Sequence, residues 1–178
     1  MDIDIYIPHL LNMDICILLK NILLHDVTEF IYITRKRRII MKNPNDVRVI
    51  IAGGREFDDF KRLSQTCDKV ISGYYNDDIN ITIISGNAKG TDRLGESYAR
   101  MKGYNLQIFP ADWFKYGRKA GIIRNAQMAE YATSDNATGV LIAFWNGKSK
   151  GTGNMIDIAR SKDMSVCIDI CDYEKEKK

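Results

Sequence analysis

The chain has 178 residues, 45% of them hydrophobic and 28% charged, with a formal net charge of +3. That length suits one domain able to bury a core without disulfide staples, and the composition excludes a disordered chain. The small positive excess lies in short runs, Arg35–Arg38 and Lys175–Lys178, which read as solvated tails rather than as a nucleic-acid surface.

Residues 1–40 are rich in Ile, Leu, Asp and Tyr and contain no glycine. The apolar run Ile15–Leu24 is broken by Lys20 and Asn21, and a membrane span needs about 20 mainly apolar residues. The run also lacks the flanks of a signal peptide, so the expected location is cytoplasmic. Arg37-Arg38-Ile39-Ile40-Met41 can be encoded as a bacterial ribosome-binding sequence followed by a start codon. Residues 1–40 are therefore expected to be an extension: translated leader, a disordered segment or a short helix packed on the domain. The domain is expected over 41–171, with a charged tail at 172–178.

From Val47 the chain alternates. Val47–Ala52 is a β-branched run entering Gly53-Gly54, a buried strand before a tight turn. Asp58–Tyr75 carries Phe60, Leu63, Cys67, Val70 and Ile71 at helical spacing. Ile79–Ile84 is a second strand. Thr91–Lys102 is a second helix, with Thr91 as candidate cap, Asp92 favourable in the first turn and Gly103 as its stop. Leu106–Phe109 is a third strand and Ala120–Thr133 a third helix with Met128 and Ala129 in its core face. Val140–Phe144 is a fourth strand, a helix follows near Asn154–Ser161, and Ser165–Ile170 is a fifth strand. Such alternation predicts an α/β, Rossmann-like three-layer fold with a mainly parallel sheet of about five strands. Ligands of such sheets bind at the carboxyl ends of the strands, where strand order reverses.

Four loops carry the chemical signal. Gly53-Gly54-Arg55 follows strand one; its glycines let backbone approach an anion and Arg55 can grip a phosphate or carboxylate, although a plain turn with a surface arginine fits as well. Ser85-Gly86-Asn87-Ala88-Lys89-Gly90-Thr91-Asp92 follows strand two and opens a helix, a place where exposed amides bind anions. It lacks the order of a P-loop. Asp92 reads equally as a structural cap or as a partner for a ribose hydroxyl. The third loop runs from Pro110 to Lys119. Trp113 or Tyr116 could stack on a base, and Arg118 and Arg124 could hold phosphates, with Asn125 beside them; the plainer alternative is a loop pinned by its own aromatics. The fourth, Phe144–Gly153, offers Ser149, Gly151 and Thr152 at another helix start.

The negative evidence is equally informative. The only histidines are His9 and His25, so Ser-His-Asp and Cys-His catalysis are excluded from the domain unless the extension supplies the imidazole. No metal is expected: Cys16, Cys67, Cys167 and Cys171 form no CxxC pair. Cys167 and Cys171 read as a reduced, buried pair on one strand face. The weak catalytic candidates are the carboxylates Asp92 and Asp112.

The succession GGREF, SGNAKGTDRLGESYA, FPADWFKYGRKAGIIRNAQMA and AFWNGKSKGTGNMIDIA, over about Val47–Asp169, resembles the YspA-like branch of the SLOG superfamily of bacterial and phage proteins. The resemblance implies a Rossmann-like fold that binds nucleotide-derived ligands, such as ADP-ribose-type or NAD-derived molecules, without a required cofactor. It implies ligand contacts at Gly53, Gly54, Arg55, Ser85, Gly86, Ala88, Gly90, Asp92, Gly151 and Thr152. It places Asp112, Trp113, Arg124 and Asn125 in the segment characteristic of the branch. Relatives include the LOG phosphoribohydrolases and the DNA-processing protein DprA, and a homo-oligomer is compatible with them. LOG hydrolases carry a catalytic glutamate where this chain has Met155, and a thioether can neither donate a proton nor stabilise an oxocarbenium ion. Asp157 lies two residues on, about 200° round a helix. The expectation is therefore a sensing or sequestering module. A nucleotide N-glycosidase is the first alternative and DprA-like single-strand DNA binding the second; no membrane partner is expected.

Overall fold

The structure, a computed structural model, describes residues 43–74 and 78–172. The expected extension over residues 1–40, the start at Met41, the two histidines, Cys16 and the lysines of the tail lie outside the described residues.

Five strands form one wholly parallel sheet: β1 (Asn43–Gly53), β2 (Asn80–Ser85), β3 (Asn105–Ile108), β4 (Ala137–Trp145) and β5 (Ser165–Ile170), in the order β3-β2-β1-β4-β5. The helices are α1 (Phe60–Ile71), α2 (Thr91–Lys102), a single turn α3 (Trp113–Tyr116), α4 (Ala120–Thr133) and α5 (Lys150–Ser161). The α/β Rossmann-like expectation is thus met, with all strands parallel. The central strands are apolar on both faces because each face is covered by helices. Val47, Val49 and Ile51 of β1 join Leu63 and Cys67 of α1 and Tyr98 and Ala99 of α2 in one core. The alternate residues Ile50 and Ala52 join Met128, Ala129 and Ala132 of α4 and Met155, Ile156 and Ala159 of α5 in the other. No helix among the described residues is long and apolar enough to cross a membrane.

Most element bounds fall within a few residues of the sequence reading, and α2, α4 and β5 coincide with it. The differences have local causes. β1 begins at Asn43, four residues before its apolar run, with a register irregularity between Asn43 and Val47; polar pairing at a strand start leaves no hydrophobic signature. α1 starts at Phe60 because Asp59 caps it, its carboxylate accepting from the Arg62 amide at 2.9 Å. β4 is longer at both ends than Val140–Phe144. Thr91 does not cap α2: Gly90 is the N-cap, with no side-chain cap bond, and Thr91 is the first helical residue. The loop over 110–119 contains α3 and a following 3-10 turn. α5 starts at Lys150 rather than near Asn154, capped by Ser149; its glycines at 151 and 153 disguise the first turn. Cys171 is buried while Cys167 is half-buried, and β5 ends before Cys171, so the two do not share a strand face as expected. Burial pushes the Cys171 thiol up to about 11, which makes it unreactive at neutral pH.

Tyr98 illustrates how α2 is fixed to α1. Its ring is fully buried and its hydroxyl donates to Asp68 Oδ1 at 2.7 Å, which Lys102 also reaches at 2.8 Å. Tyr98→Phe keeps the packing and removes one hydrogen bond. It should lower unfolding free energy in urea by about 1 kcal/mol; an unchanged midpoint would show that Asp68 and water offset the bond entirely.

Candidate functional site

The chain runs outward from β1 through β2 to β3, then crosses back to place β4 beside β1 on its other edge. The loops after β1 and β4 therefore leave the sheet in opposite directions and open a crevice between them. A cavity of about 480 Å³ occupies this crevice. Ala52, Met128 and Met155 form apolar lining in it, and Met155 is 1% exposed. Met155, which the resemblance places where the LOG hydrolases carry a glutamate, thus lines the cavity and presents a thioether to it.

The loops meet through specific bonds. The Gly54 carbonyl accepts from the Thr91 amide at 3.2 Å and from its hydroxyl at 3.1 Å, tying the loop after β1 to the start of α2. Arg55 then projects from this anchored turn as an exposed side chain lining the cavity, with no hydrogen bond or ion pair to the described residues. Arg118 lines the cavity in the same state, from the turn between α3 and α4.

Arg124 and Asn125 join the loop after β2 to α5. Arg124 Nη1 donates to the Gly86 carbonyl and to Asp92 Oδ2 at 3.4 Å, and Nε donates to Asn125 Oδ1 at 3.1 Å. Asn125 Nδ2 donates in turn to the Gly151 carbonyl at 3.2 Å and to Asn154 Oδ1 at 3.0 Å. The guanidinium passes so close to Gly86 that a Cβ there would overlap it, which explains a glycine at this point of the turn. The Arg-Asn pair therefore bridges the two sides of the cavity. Asp92 is 6% exposed, and its burial pushes its carboxyl above the usual carboxylate range although Arg124 and the Ala88 amide pull it back.

The amides of the loop after β2 behave differently from the expectation. The Asn87 amide donates to Ser85 Oγ at 3.0 Å and the Ala88 amide to Asp92 Oδ2 at 3.2 Å. These donors are turned onto the loop itself, so Asp92 acts as an internal anchor for its own turn. Ser85 donates to Glu96 Oε1 at 2.9 Å, and both are 1% exposed. Ser85, Gly90 and Thr91 accordingly do not line this cavity and serve to shape the turn. At the start of α5, Asn146 Oδ1 accepts from the Lys148 and Ser149 amides and Ser149 Oγ from the Thr152 amide and hydroxyl. The amides of Lys150 and Gly151 remain outside that cap, with Gly151 at the cavity wall.

The third segment is also divided. Trp113 is 54% exposed, lies 3.6 Å from where a Cβ of Gly121 would be, and lines the cavity. Tyr116 is half-buried, lies under Lys115 Nζ at 5.0 Å and does not line this cavity. Asp112 caps α3, its carboxylate accepting from the Lys115 amide at 2.8 Å, and is likewise not part of the cavity lining. Of the two carboxylates singled out in the sequence, Asp92 reaches the cavity and Asp112 does not.

Residues 47–116 match the model of the YspA, cpYpsA-related SLOG family. The chain is also 29% identical over 124 residues to the Gene 61 protein of Mycobacterium phage D29, covering 67% of this chain and 93% of the phage protein. No solved structure matches the chain significantly. The SLOG match covers the turns at Gly53–Arg55 and Ser85–Asp92 together with Trp113. The Arg124-Asn125 bridge and the start of α5, which close the other side of the cavity, lie beyond it.

A second cavity of about 550 Å³ shares Arg55, Ala88, Trp113 and Arg124 with the first and extends over Asn87, Lys89 and Pro110. The sequence reading missed this chamber, and it missed Asn154 and Glu96. Glu96 sits one helical turn beyond Asp92 on the buried side of α2, so the spacing was visible, but a charged residue there reads as solvated until Ser85 is seen beneath it.

Proposed function

We propose that the domain binds a nucleotide-derived small molecule of the ADP-ribose or NAD-derived kind and acts as a sensing or sequestering module. The observation that carries this reading is the crevice cavity at the reversal of strand order. It combines two unpaired arginines, Arg55 and Arg118, an exposed indole at Trp113 and an apolar floor. Arginines suit phosphates, the indole suits a base or ribose face, and about 480 Å³ falls in the usual range of small-molecule sites. The match of residues 47–116 to the SLOG family supports a nucleotide-related ligand. Binding is favoured over glycosidic hydrolysis because the floor position resembling the LOG glutamate is Met155.

The competing hydrolase reading would have to use Asp92, the carboxylate lining this cavity, whose raised proton affinity suits an acid. Incubating the full chain with AMP, NAD and ADP-ribose, removing free ligand and denaturing the protein for mass spectrometry separates the two. An intact nucleotide released from the protein is the expected result; free base with ribose phosphate in the bulk would overturn it. Arg55→Ala should weaken capture of the retained nucleotide about tenfold with an unchanged melting temperature, because the side chain has no structural partner. Undiminished capture would remove Arg55 from the site.

A further inference from the structure

The Asp92–Arg124 ion pair stands in the wall of the crevice cavity, where a ligand anion would meet it. Both side chains line that cavity, and Arg124 lines the second one as well. They are 8% and 14% exposed, so the pair sits in a poorly solvated wall. Asp92 Oδ2 accepts from the Ala88 amide at 3.2 Å and from Arg124 Nη1 at 3.4 Å. Arg124 spends Nη1 and Nε on the protein, whereas Nη2 makes no hydrogen bond among the described residues. A phosphate in the cavity can take that free donor, and it then competes with Asp92 for one guanidinium charge.

The other charges around Asp92 do not replace Arg124. Among the described residues Arg124, from α4, is the cation within ion-pair distance of Asp92. Glu96, one turn further along α2, adds a like charge. The cations of that turn, Arg93 and Arg100, pair with Glu96 and not with Asp92. Arg55, from the loop after β1, and Arg118, from the turn between α3 and α4, line the cavity without pairing with Asp92, and Lys89, on the loop that Asp92 anchors, lines the second cavity. β2 contributes only the hydroxyl of Ser85, and α5 presents Thr152 and Met155, which carry no charge. Burial already raises the proton affinity of Asp92, and Arg124 restrains it. An anion set against Arg124 weakens that restraint and adds its own repulsion.

Resting on the nucleotide reading above, we propose that ligand binding is coupled to the uptake of one proton by Asp92, so that the domain holds its ligand more tightly as the pH falls. The proton comes from solvent and ends on the Asp92 carboxyl, and the Arg124 charge turns to the phosphate. The complex then binds more protons than the free protein over a window that opens above the unperturbed value of about 3.9. Affinity rises as pH falls through that window, by at most about tenfold per pH unit for a single proton.

Calorimetric titration of the full chain with ADP-ribose and with NAD tests this, since the bridged, esterified phosphates of both ligands keep their charge from acid to neutral pH. Titrations between about pH 4.5 and 7.5, each in two buffers of different ionisation enthalpy, count the protons. The expected result is uptake of about one proton within the window and an affinity that falls roughly three- to tenfold per pH unit across it. Asp92→Asn should abolish the uptake and flatten the affinity against pH, and Glu96→Gln should retain both. His9 and His25 remain in each variant, so uptake that survives Asp92→Asn gives the proton to another group and overturns the inference. Infrared difference spectra of the unmodified chain with and without ligand keep the test open if Asp92→Asn does not fold: a new protonated-carboxyl band is expected, and its absence overturns the inference. Binding without proton uptake overturns the coupling and leaves the nucleotide reading standing. If neither ligand binds at any pH, the nucleotide reading itself fails and the coupling with it.

Discussion

Arg124→Leu should destabilise the domain by about 3–5 kcal/mol near neutral pH and by much less in acid. The guanidinium is the charge partner of Asp92 at 3.4 Å, with side-chain exposures of 14% and 8%. Leucine fills part of the space but leaves a carboxylate without its countercharge in a buried wall, and removes the bond to the Gly86 carbonyl. Burial already holds Asp92 above the usual carboxylate range with Arg124 in place; without it the shift grows. A carboxyl whose folded-state pKa is raised binds more protons folded than unfolded. Stability therefore falls as pH rises from the unfolded value, about 3.9, through the folded value, and is flat above it. The deficit of the variant should widen across that window, reaching a drop in melting temperature of roughly 10 °C or more at pH 7. Adding Asp92→Asn should recover part of the loss at pH 7, since an amide carries no buried charge. A deficit that is constant from pH 4 to 8, with no recovery in the double variant, would show that Arg124 acts only by packing and by its bond to Gly86.

The second large effect is expected at the crossing of two loops. Gly90 has φ 74° and ψ −126° and caps α2 without a side chain. A Cβ at this position would lie within 2.5 Å of the Arg55 carbonyl oxygen and against that of Gly54. Both obstacles are backbone, and the Gly54 carbonyl is held by two bonds from Thr91, so neither can yield cheaply. Gly90→Ala should cost about 3 kcal/mol or more, from a backbone region open to glycine together with the overlap. Gly103 supplies the control. It also has positive φ, 69°, but meets nothing within 4 Å, and Gly103→Ala should cost about 1 kcal/mol. Equal losses in thermal melts of the two variants would show that conformation, not the contact between loops, sets the cost at Gly90. Because the Gly54–Arg55 turn is displaced in the first variant only, nucleotide capture should fall with Gly90→Ala and survive in Gly103→Ala.

Both effects concern contacts between loops distant along the chain, and that is where reading the sequence stopped. Alternating apolar runs and helical spacing reported which faces are buried, so the five strands, the four longer helices and the doubly covered sheet were legible. So was the gathering of Gly53–Arg55, Ser85–Asp92, the segment around Trp113 and Ser149–Thr152 at one edge, since parallel strands put all such loops on the same side. What hydrophobic pattern cannot report is how polar groups are shared among those loops. Asp112 looked like a ligand residue and is the cap of a four-residue helix; Thr91 looked like a cap and is a lacing hydroxyl. The amides of the turn after β2 looked free and are bound by Asp92 and Ser85. The pairing of Asp92 with Arg124, 32 residues apart, and the second chamber beside Lys89 exist only once the loops after β1, β2 and β3 meet the start of α4. The sequence by itself determined the layers, the helix faces and the edge where the loops collect. The tertiary structure alone decided which polar groups are consumed in holding the loops and which, above all Arg55, Arg118 and Lys89, make no hydrogen bond or ion pair among the described residues. The physical reason is that burial is a local, periodic property of the chain, whereas a hydrogen bond is decided by whichever partner the fold brings within about 3 Å.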